Sequence, residues 1–285
     1  MLQNSRMDYV KAAQPRIVGL FLVTVLAALL LAGSPGVAVS AAVLVATGLT
    51  VAGAAILNNV FERDADARME RTRRRPTATG SLSPGHATAA ALVAVAAGVL
   101  ALWAVAGLMA AAFALAGAVY YAIVYTLLFK PHTALSSVPG ALAGVFPALV
   151  GWAATGAPFS ADIAFLCAVI FLWSPPHFWA LSLAREGDYR ASGIPTPPVR
   201  YGERPTQLLI VGFVAALTAV VVAALRTDLY GEVYGVLAVA ATAVLWVFVA
   251  HLLDVPGPKR AWALFKVSGP YLAVVVAAAV LDRLL

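Results

Sequence analysis

Residues 58–76 read N-N-V-F-E-R-D-A-D-A-R-M-E-R-T-R-R-R-P. Six arginines (Arg63, Arg68, Arg71, Arg73, Arg74, Arg75) are interleaved with four acids (Glu62, Asp64, Asp66, Glu70). The chain before this run is almost wholly apolar from Ile17 onward. If the helix formed by that apolar run continues, Asn58, Glu62 and Asp66 fall four residues apart and make one polar stripe. Oxygen ligands beside arginines suit a diphosphate held through a hard divalent cation. Mg²⁺ takes one or two carboxylates and fills its other positions with water and phosphate oxygen. Arginine grips phosphate through paired hydrogen bonds. A charged loop obeying the positive-inside rule would account for the arginines, but not for four acids at helical spacing beside a membrane.

A second polar cluster follows at 173–198, W-S-P-P-H-F-W-A-L-S-L-A-R-E-G-D-Y-R-A-S-G-I-P-T-P-P. Pro175 and Pro176 are expected to interrupt a span near its inner half and free backbone carbonyls that protein or water must satisfy. His177 sits beside that break with Phe178 and Trp179. It reads equally as a satisfied structural histidine or as an iron ligand or contact for a polar head. Arg185, Glu186, Asp188, Tyr189 and Arg190 then enter a loop, either as a solvated surface or as a second cation or phosphate site facing the first. Lys130, in F-K-P-H-T, reaches the same face, as a snorkelling anchor or as a diphosphate contact.

These clusters need a scaffold, and the composition limits what it can be. The hydrophobic fraction is 62%, charged residues make up 11%, and mean hydropathy is +0.90. A soluble chain of this length could not hide so much apolar surface, so the reading is a polytopic membrane protein. The apolar runs are long and rich in Ala, Val and Leu, which argues for an all-α bundle and against a barrel of short alternating strands. The first run could pass for a signal peptide, but further spans follow at once. The single cysteine, Cys167, falls mid-span and reads as a small core residue. The net charge of +6 does not point to nucleic acid; its distribution reports orientation instead.

About nine transmembrane segments are expected, at 17–33, 37–58, 86–107, 109–129, 135–154, 160–183, 206–225, 231–253 and 263–281. Each is near the ~20 residues that cross a ~30 Å hydrocarbon core. Residues 1–16 form a short cytoplasmic arm, and 17–285 form one transmembrane domain. With the arm inside, 17 of the 19 Lys and Arg residues fall on the inner face, leaving only Arg226 and Arg283 outside. All long polar loops then share the cytoplasmic mouth. Gly140 and Gly144, a small-xxx-small pair beside Pro139 and Pro147, read as packing and kink features.

At the two clusters the sequence resembles the intramembrane prenyltransferases of the UbiA superfamily, whose first signature N-x-x-x-D-x-x-x-D falls on Asn58, Glu62 and Asp66. Glu62 stands where that superfamily usually has aspartate, so its carboxylate reaches one methylene further. Within the superfamily the chain is most similar to the heme O synthase family. The matching tracts are 58–76, P-H-F-W-A-L at 176–181 and D-Y-R-A-S-G-I-P at 188–195. Y-T-L-L-F-K-P-H-T at 125–133 and P-A-L-V-G-W at 147–152 also match.

The resemblance implies a UbiA-type bundle in the cell inner or plasma membrane, multi-pass, with a cytoplasmic N-terminus. It implies farnesyl transfer from farnesyl diphosphate to a vinyl group of heme b, with addition of water. Mg²⁺ would be held by Asn58, Glu62, Asp66 and Asp188, with Arg71, Arg75 and Lys130 assisting diphosphate departure. Asn59, Tyr125, His177, Phe178, Trp179, Arg185, Asp188 and Tyr189 would contact substrate. Tyr120 and Tyr121 join Tyr125, Phe178 and Trp179 as aromatic faces for an allylic cation. The partners implied are farnesyl diphosphate, heme b, the lipid bilayer and, from the pathway, heme A synthase. Two alternatives stay open: a prenyltransferase acting on a quinone precursor or other ring acceptor, and a membrane transporter. A transporter would predict isolated acids deep within spans and an internal repeat. An interaction scaffold would need no facing acid–arginine clusters.

Overall fold

The computed structural model describes residues 5–285, so the first four residues of the expected arm lie outside the described residues. Every regular element among the described residues is helical. In lipid a helix satisfies all of its backbone polar groups within one segment, which is what these long Ala/Val/Leu runs require. Helix α1 (Arg6–Ala12) opens on a capping box between Ser5 and Asp8. Helix α2 (Pro15–Leu31) starts at a proline and is bent 51° from α1. Helix α3 (Val37–Phe61) leads into the polar segment, which holds two single-turn helices, α4 (Arg63–Asp66) and α5 (Pro76–Thr79).

Helix α6 (Pro84–Val119) runs straight into a π-helix, Tyr120–Phe129. Gly107 interrupts α6 with φ 84° and ψ 176°, a conformation open to glycine and costly for other residues. Then come α7 (Ser137–Ala153), α8 (Ala161–Ala184), α9 (Glu186–Ser192) and α10 (Pro197–Tyr201). The chain ends with α11 (Glu203–Arg226), α12 (Glu232–Asp254) and α13 (Pro258–Leu284).

Among the described residues, six helices are long and apolar enough to cross a membrane, or seven if α1 and α2 form one bent span. This differs from the expected nine for identifiable reasons. The predicted segments 86–107 and 109–129 are one 46-residue run of helix, Pro84–Phe129, and 135–154 forms only the 17-residue α7. The Gly107 break falls where those two predicted segments meet. The molecule is a multi-pass helical membrane protein.

One further expectation is corrected. Pro175 and Pro176 do not interrupt α8, which stays helical from Ala161 to Ala184. Both rings hold φ in the helical range and each removes one i→i−4 hydrogen bond, yet the residues on either side stay helical.

Three hydrophobic clusters hold the bundle, the smallest joining Ala12 of α1, Ile56 of α3 and Ala87 and Ala91 of α6. The largest joins α8, α11, α12 and α13 with parts of α2 and α7, and a second joins α2, α3, α6 and α7. Close approach of α3 to α6 depends on glycine. A Cβ on Gly53 would stand 2.6 Å from the Ala91 carbonyl oxygen, and one on Gly98 would stand 2.5 Å from that of Ala46.

Candidate functional site

The polar stripe survives the end of α3. The Glu62 amide donates to the Asn58 carbonyl at 2.9 Å, and the Asp66 amide donates to the Glu62 carbonyl at 2.8 Å. The i→i−4 ladder therefore crosses the irregular residue Glu62 and keeps the three side chains on one face. That face points inward, for Asn58 and Asp66 are buried while Arg63 and Asp64 between them are exposed.

Each stripe residue meets a partner from elsewhere. Asn58 Nδ2 donates to Thr126 Oγ1 at 3.0 Å. Glu62 pairs with Lys130, and Asp66 accepts from Arg75 Nη1 at 2.7 Å. Burial raises the Asp66 carboxyl above the usual aspartate range, against the lowering pull of the Arg75 guanidinium.

Lys130 and Thr126 arrive through the π-helix. Its wider winding lets the Lys130 amide bond the Tyr125 carbonyl five residues back, and Thr126 Oγ1 donates to the Tyr121 carbonyl at 2.7 Å. The Lys130 ammonium sits 5.9 Å from the centre of the Tyr125 ring, which stacks on Tyr121 at 5.9 Å. Gly140 makes room for that ring: a Cβ there would lie 2.5 Å from Tyr125 Cε2. Gly140 thus serves the site as well as packing.

The second cluster closes onto the first. The Glu70 amide donates to Asp188 Oδ1 at 3.1 Å, and Arg68 donates to the Ser192 carbonyl at 3.1 Å. Asp188 Oδ2 is buried with no hydrogen-bond partner. Tyr189 is buried beside it in sequence, whereas Arg71 is exposed. Arg185 turns aside to lie over the Trp262 ring at 5.1 Å, and Glu186 pairs with Arg190 on the surface.

Other predicted residues are not brought to the stripe. Asn59 points the opposite way, donating to the Ala12 carbonyl at 2.7 Å and accepting from Gln14 at 3.0 Å, so it fastens the α1–α2 corner. Trp179 is wholly buried, edge-on to Phe213. Phe178 is 45% exposed on the bundle surface. Tyr120 donates to the Pro139 carbonyl at 2.8 Å.

His177 lies in the α8–α13 contact, its ring between Trp173 and Phe265 at 4.4 Å from each. Its Nδ1 meets Ser268 Oγ at 2.6 Å. Ser268 Oγ already donates its proton to the Phe265 carbonyl, so it accepts from Nδ1–H. The lone pair of His177 is thereby left on Nε2.

Three groups escaped the sequence reading: Thr126, Gln14 and the Glu70 amide. Thr126 could be found only by knowing that the helix before Lys130 is π-wound.

No three His, Cys, Asp or Glu side chains cluster tightly enough to hold an ion among the described residues. The donor set still fits a divalent cation. Mg²⁺ asks for one or two carboxylates when phosphate supplies the rest. Glu62 and Asp66 meet that requirement from one buried face, and the unpartnered Asp188 oxygen adds a candidate ligand on the facing loop.

Next to the site lies an apolar pocket between α2, α3, α6, the π-helix and α7. Tyr121 lines its polar end, and Thr47, Ala114 and Val150 line it farther from the stripe.

This arrangement, a helical bundle with paired acids and cations at the mouth of an apolar chamber, defines a class. Residues 21–273 match the UbiA prenyltransferase family, and the chain belongs to it. It is 42% identical to a protoheme IX farnesyltransferase of Thermus thermophilus over 97% of its own length, and it spans 46% of that relative. It is 36% identical to a protoheme IX farnesyltransferase of Azotobacter vinelandii, covering 94% of this chain and 86% of that one. The fold is that of solved structures with which it shares little sequence. One is described as digeranylgeranylglyceryl phosphate synthase (TM-score 0.79, 15% identity, 97% and 98% coverage). Another is a UbiA homologue from Archaeoglobus fulgidus bound to DMAPP and Mg²⁺ (TM-score 0.71, 14% identity, 95% and 99% coverage).

Proposed function

We propose that this protein transfers a farnesyl group from farnesyl diphosphate to a vinyl group of heme b, with addition of water, giving heme O and diphosphate. One observation carries the reading of the donor. Tyr121 belongs both to the wall of the apolar chamber and to the aromatic stack under Lys130, which pairs with Glu62. A prenyl tail in the chamber would therefore set its diphosphate against the stripe. The acceptor follows from the names of the relatives at 42% and 36% identity.

Asn58, Glu62, Asp66 and Asp188 would hold Mg²⁺, as the Mg²⁺ bound by the Archaeoglobus homologue supports. When bound, the metal neutralises the diphosphate and eases its departure. Lys130, Arg75 and Arg71 would stabilise the leaving group further. The terminal vinyl carbon attacks C1 of the farnesyl group as its C–O bond breaks, and the bonding pair leaves with diphosphate. The positive charge then rests on the carbon beside the pyrrole ring. Water adds there and releases one proton. The apolar lining of the pocket would shield the allylic carbon from water, and the Tyr121 ring in its wall, with Tyr125 stacked on it, would face the developing charge.

On the acceptor side, His177 would offer Nε2 to the heme iron, with Phe178, Arg185 and Tyr189 as further substrate contacts, whereas Asn59 and Trp179, held at the α1–α2 corner and against Phe213, would act only through packing. Loss of a heme Soret shift in His177→Ala, with turnover measured alongside, tests that role.

The chain would cross the membrane nine times with its N-terminus in the cytoplasm. A 46-residue helix would be about 69 Å long, twice the hydrocarbon core, so the Gly107 break separates two crossings. Residues 1–16 would be a cytoplasmic arm and 17–285 a single domain in the plasma membrane. Heme A synthase would take the product, which co-purification would test.

The deciding experiment incubates membranes bearing the protein with heme b, farnesyl diphosphate and Mg²⁺, then reads extracted hemes by mass spectrometry. A heme gaining one farnesyl unit plus water, and lost with EDTA, is the expected result. Diphosphate release only with a phenolic acceptor would replace heme with a quinone precursor.

A further inference from the structure

Both acids of the stripe are already neutralised. Glu62 holds Lys130, and Asp66 holds Arg75. The two acid side chains are 10% and 4% exposed, and each cation is 21% exposed. A buried carboxylate without a partner is costly, and these pairs give each acid a partner. They also fix what can enter it.

The four side chains sum to zero formal charge. A divalent cation alone would have to displace Lys130 and Arg75 and leave both cations buried without anions. A diphosphate alone would bring its negative charge against two buried carboxylates. Entering together, the metal takes the carboxylates while the diphosphate takes Lys130 and Arg75, and every buried charge again has a partner. Each pair is held by one nitrogen on one oxygen, a contact that a long side chain can release by rotating away.

We propose that Lys130 and Arg75 are built-in stand-ins for the metal, and that a partner exchange makes divalent cation and diphosphate bind as an interdependent pair. Neither ligand loads well alone, so the stripe stays closed to free divalent cations until a prenyl diphosphate arrives. Coupling of this kind is reciprocal and is typically worth 5–150-fold in affinity. The inference rests on the metal-assisted reading above but not on heme as acceptor.

The test uses full-length protein in lipid nanodiscs, with Mn²⁺ as the metal probe and inorganic pyrophosphate as the anion. Protein-bound Mn²⁺ is read by electron paramagnetic resonance at matched free Mn²⁺. Wild type is expected to bind Mn²⁺ weakly alone and at least about tenfold more tightly with pyrophosphate. Lys130→Met should raise affinity for Mn²⁺ alone by about tenfold, and the double variant Glu62→Gln/Lys130→Met should lose that gain. Arg75→Gln gives the same test through Asp66 if Lys130→Met does not fold. Tight Mn²⁺ binding by wild type alone, unchanged in Lys130→Met and Arg75→Gln, would overturn partner exchange while keeping the metal site. No Mn²⁺ binding by any form, even with pyrophosphate, would overturn both. Failure to farnesylate heme would leave this result standing.

Discussion

Ion-paired acids sit at opposite ends of the bundle, Asp162 at one and Glu62 and Asp66 at the other, and they are held differently. At the end opposite the stripe, Arg283 grips Asp162 with two nitrogens, Nε to Oδ1 at 2.9 Å and Nη2 to Oδ2 at 3.0 Å. Ser160 adds a third hydrogen bond at 3.2 Å, and Arg283 also lies over the Tyr230 ring at 5.7 Å. That carboxylate is enclosed by planar, two-point contact. At the stripe, Lys130 and Arg75 each reach their acid with a single nitrogen. Chemistry of the pair alone does not separate structural from functional acids. The number of contacts does: a two-point pair clasps α13 to α8, whereas a one-point pair can be exchanged for a ligand.

The sharpest way to break this comparison is to neutralise one acid at each end. Asp66→Asn should lower turnover by about 10²–10³-fold or more, the scale of losing a charge-stabilising group, with the protein still folded. Asp162→Asn should leave turnover within about twofold, being remote from the stripe. A farnesylation assay beside a thermal melt separates the two, and retained activity in Asp66→Asn would sink the metal assignment. A smaller loss, about tenfold to 10²-fold, is expected for Lys130→Met in kcat/KM, because Arg75 still faces the diphosphate.

Acid should act on the stripe through Asp66. The Asp66 carboxyl is raised above its ordinary 3.8, chiefly by burial. A raised carboxyl favours the folded state below 3.8 and loses that contribution as pH rises through its folded value. Activity has the opposite sign, since metal binding needs the ionised form. The acid limb of kcat/KM should therefore begin above the ordinary aspartate range, and Arg75→Gln should move it further up. A limb unmoved by Arg75→Gln would show that Asp66 does not set it.

Stability effects are smaller. Arg283→Met should cost about 1–2 kcal/mol with activity preserved, a reduced figure because Arg283 is 44% exposed. The least effect is expected from Gly140→Ala. Its methyl would push the Tyr125 ring from beside Lys130 and lower kcat/KM a few-fold, with little change in melting temperature.

The sequence by itself determined much of this protein. Long apolar runs impose helices, because backbone polar groups find no water in lipid. Helical spacing put Asn58, Glu62 and Asp66 on one stripe, and that periodicity is a local property of the backbone. Length alone divided 86–107 from 109–129, and only the structure shows that the residue at that boundary, Gly107, takes a positive φ. Prolines misled at 175–176, where the segment stays helical despite the hydrogen bonds it loses. Only the tertiary structure decided what each charge faces. Nothing local says that Lys130 answers Glu62 across 68 residues of chain, or that the amide of Glu70 caps Asp188. Nor does anything local say that Asn59, next to the stripe, turns its back on it. Which side chains become partners depends on helix winding and on which helices pack together, and the π-turns before Lys130 change both.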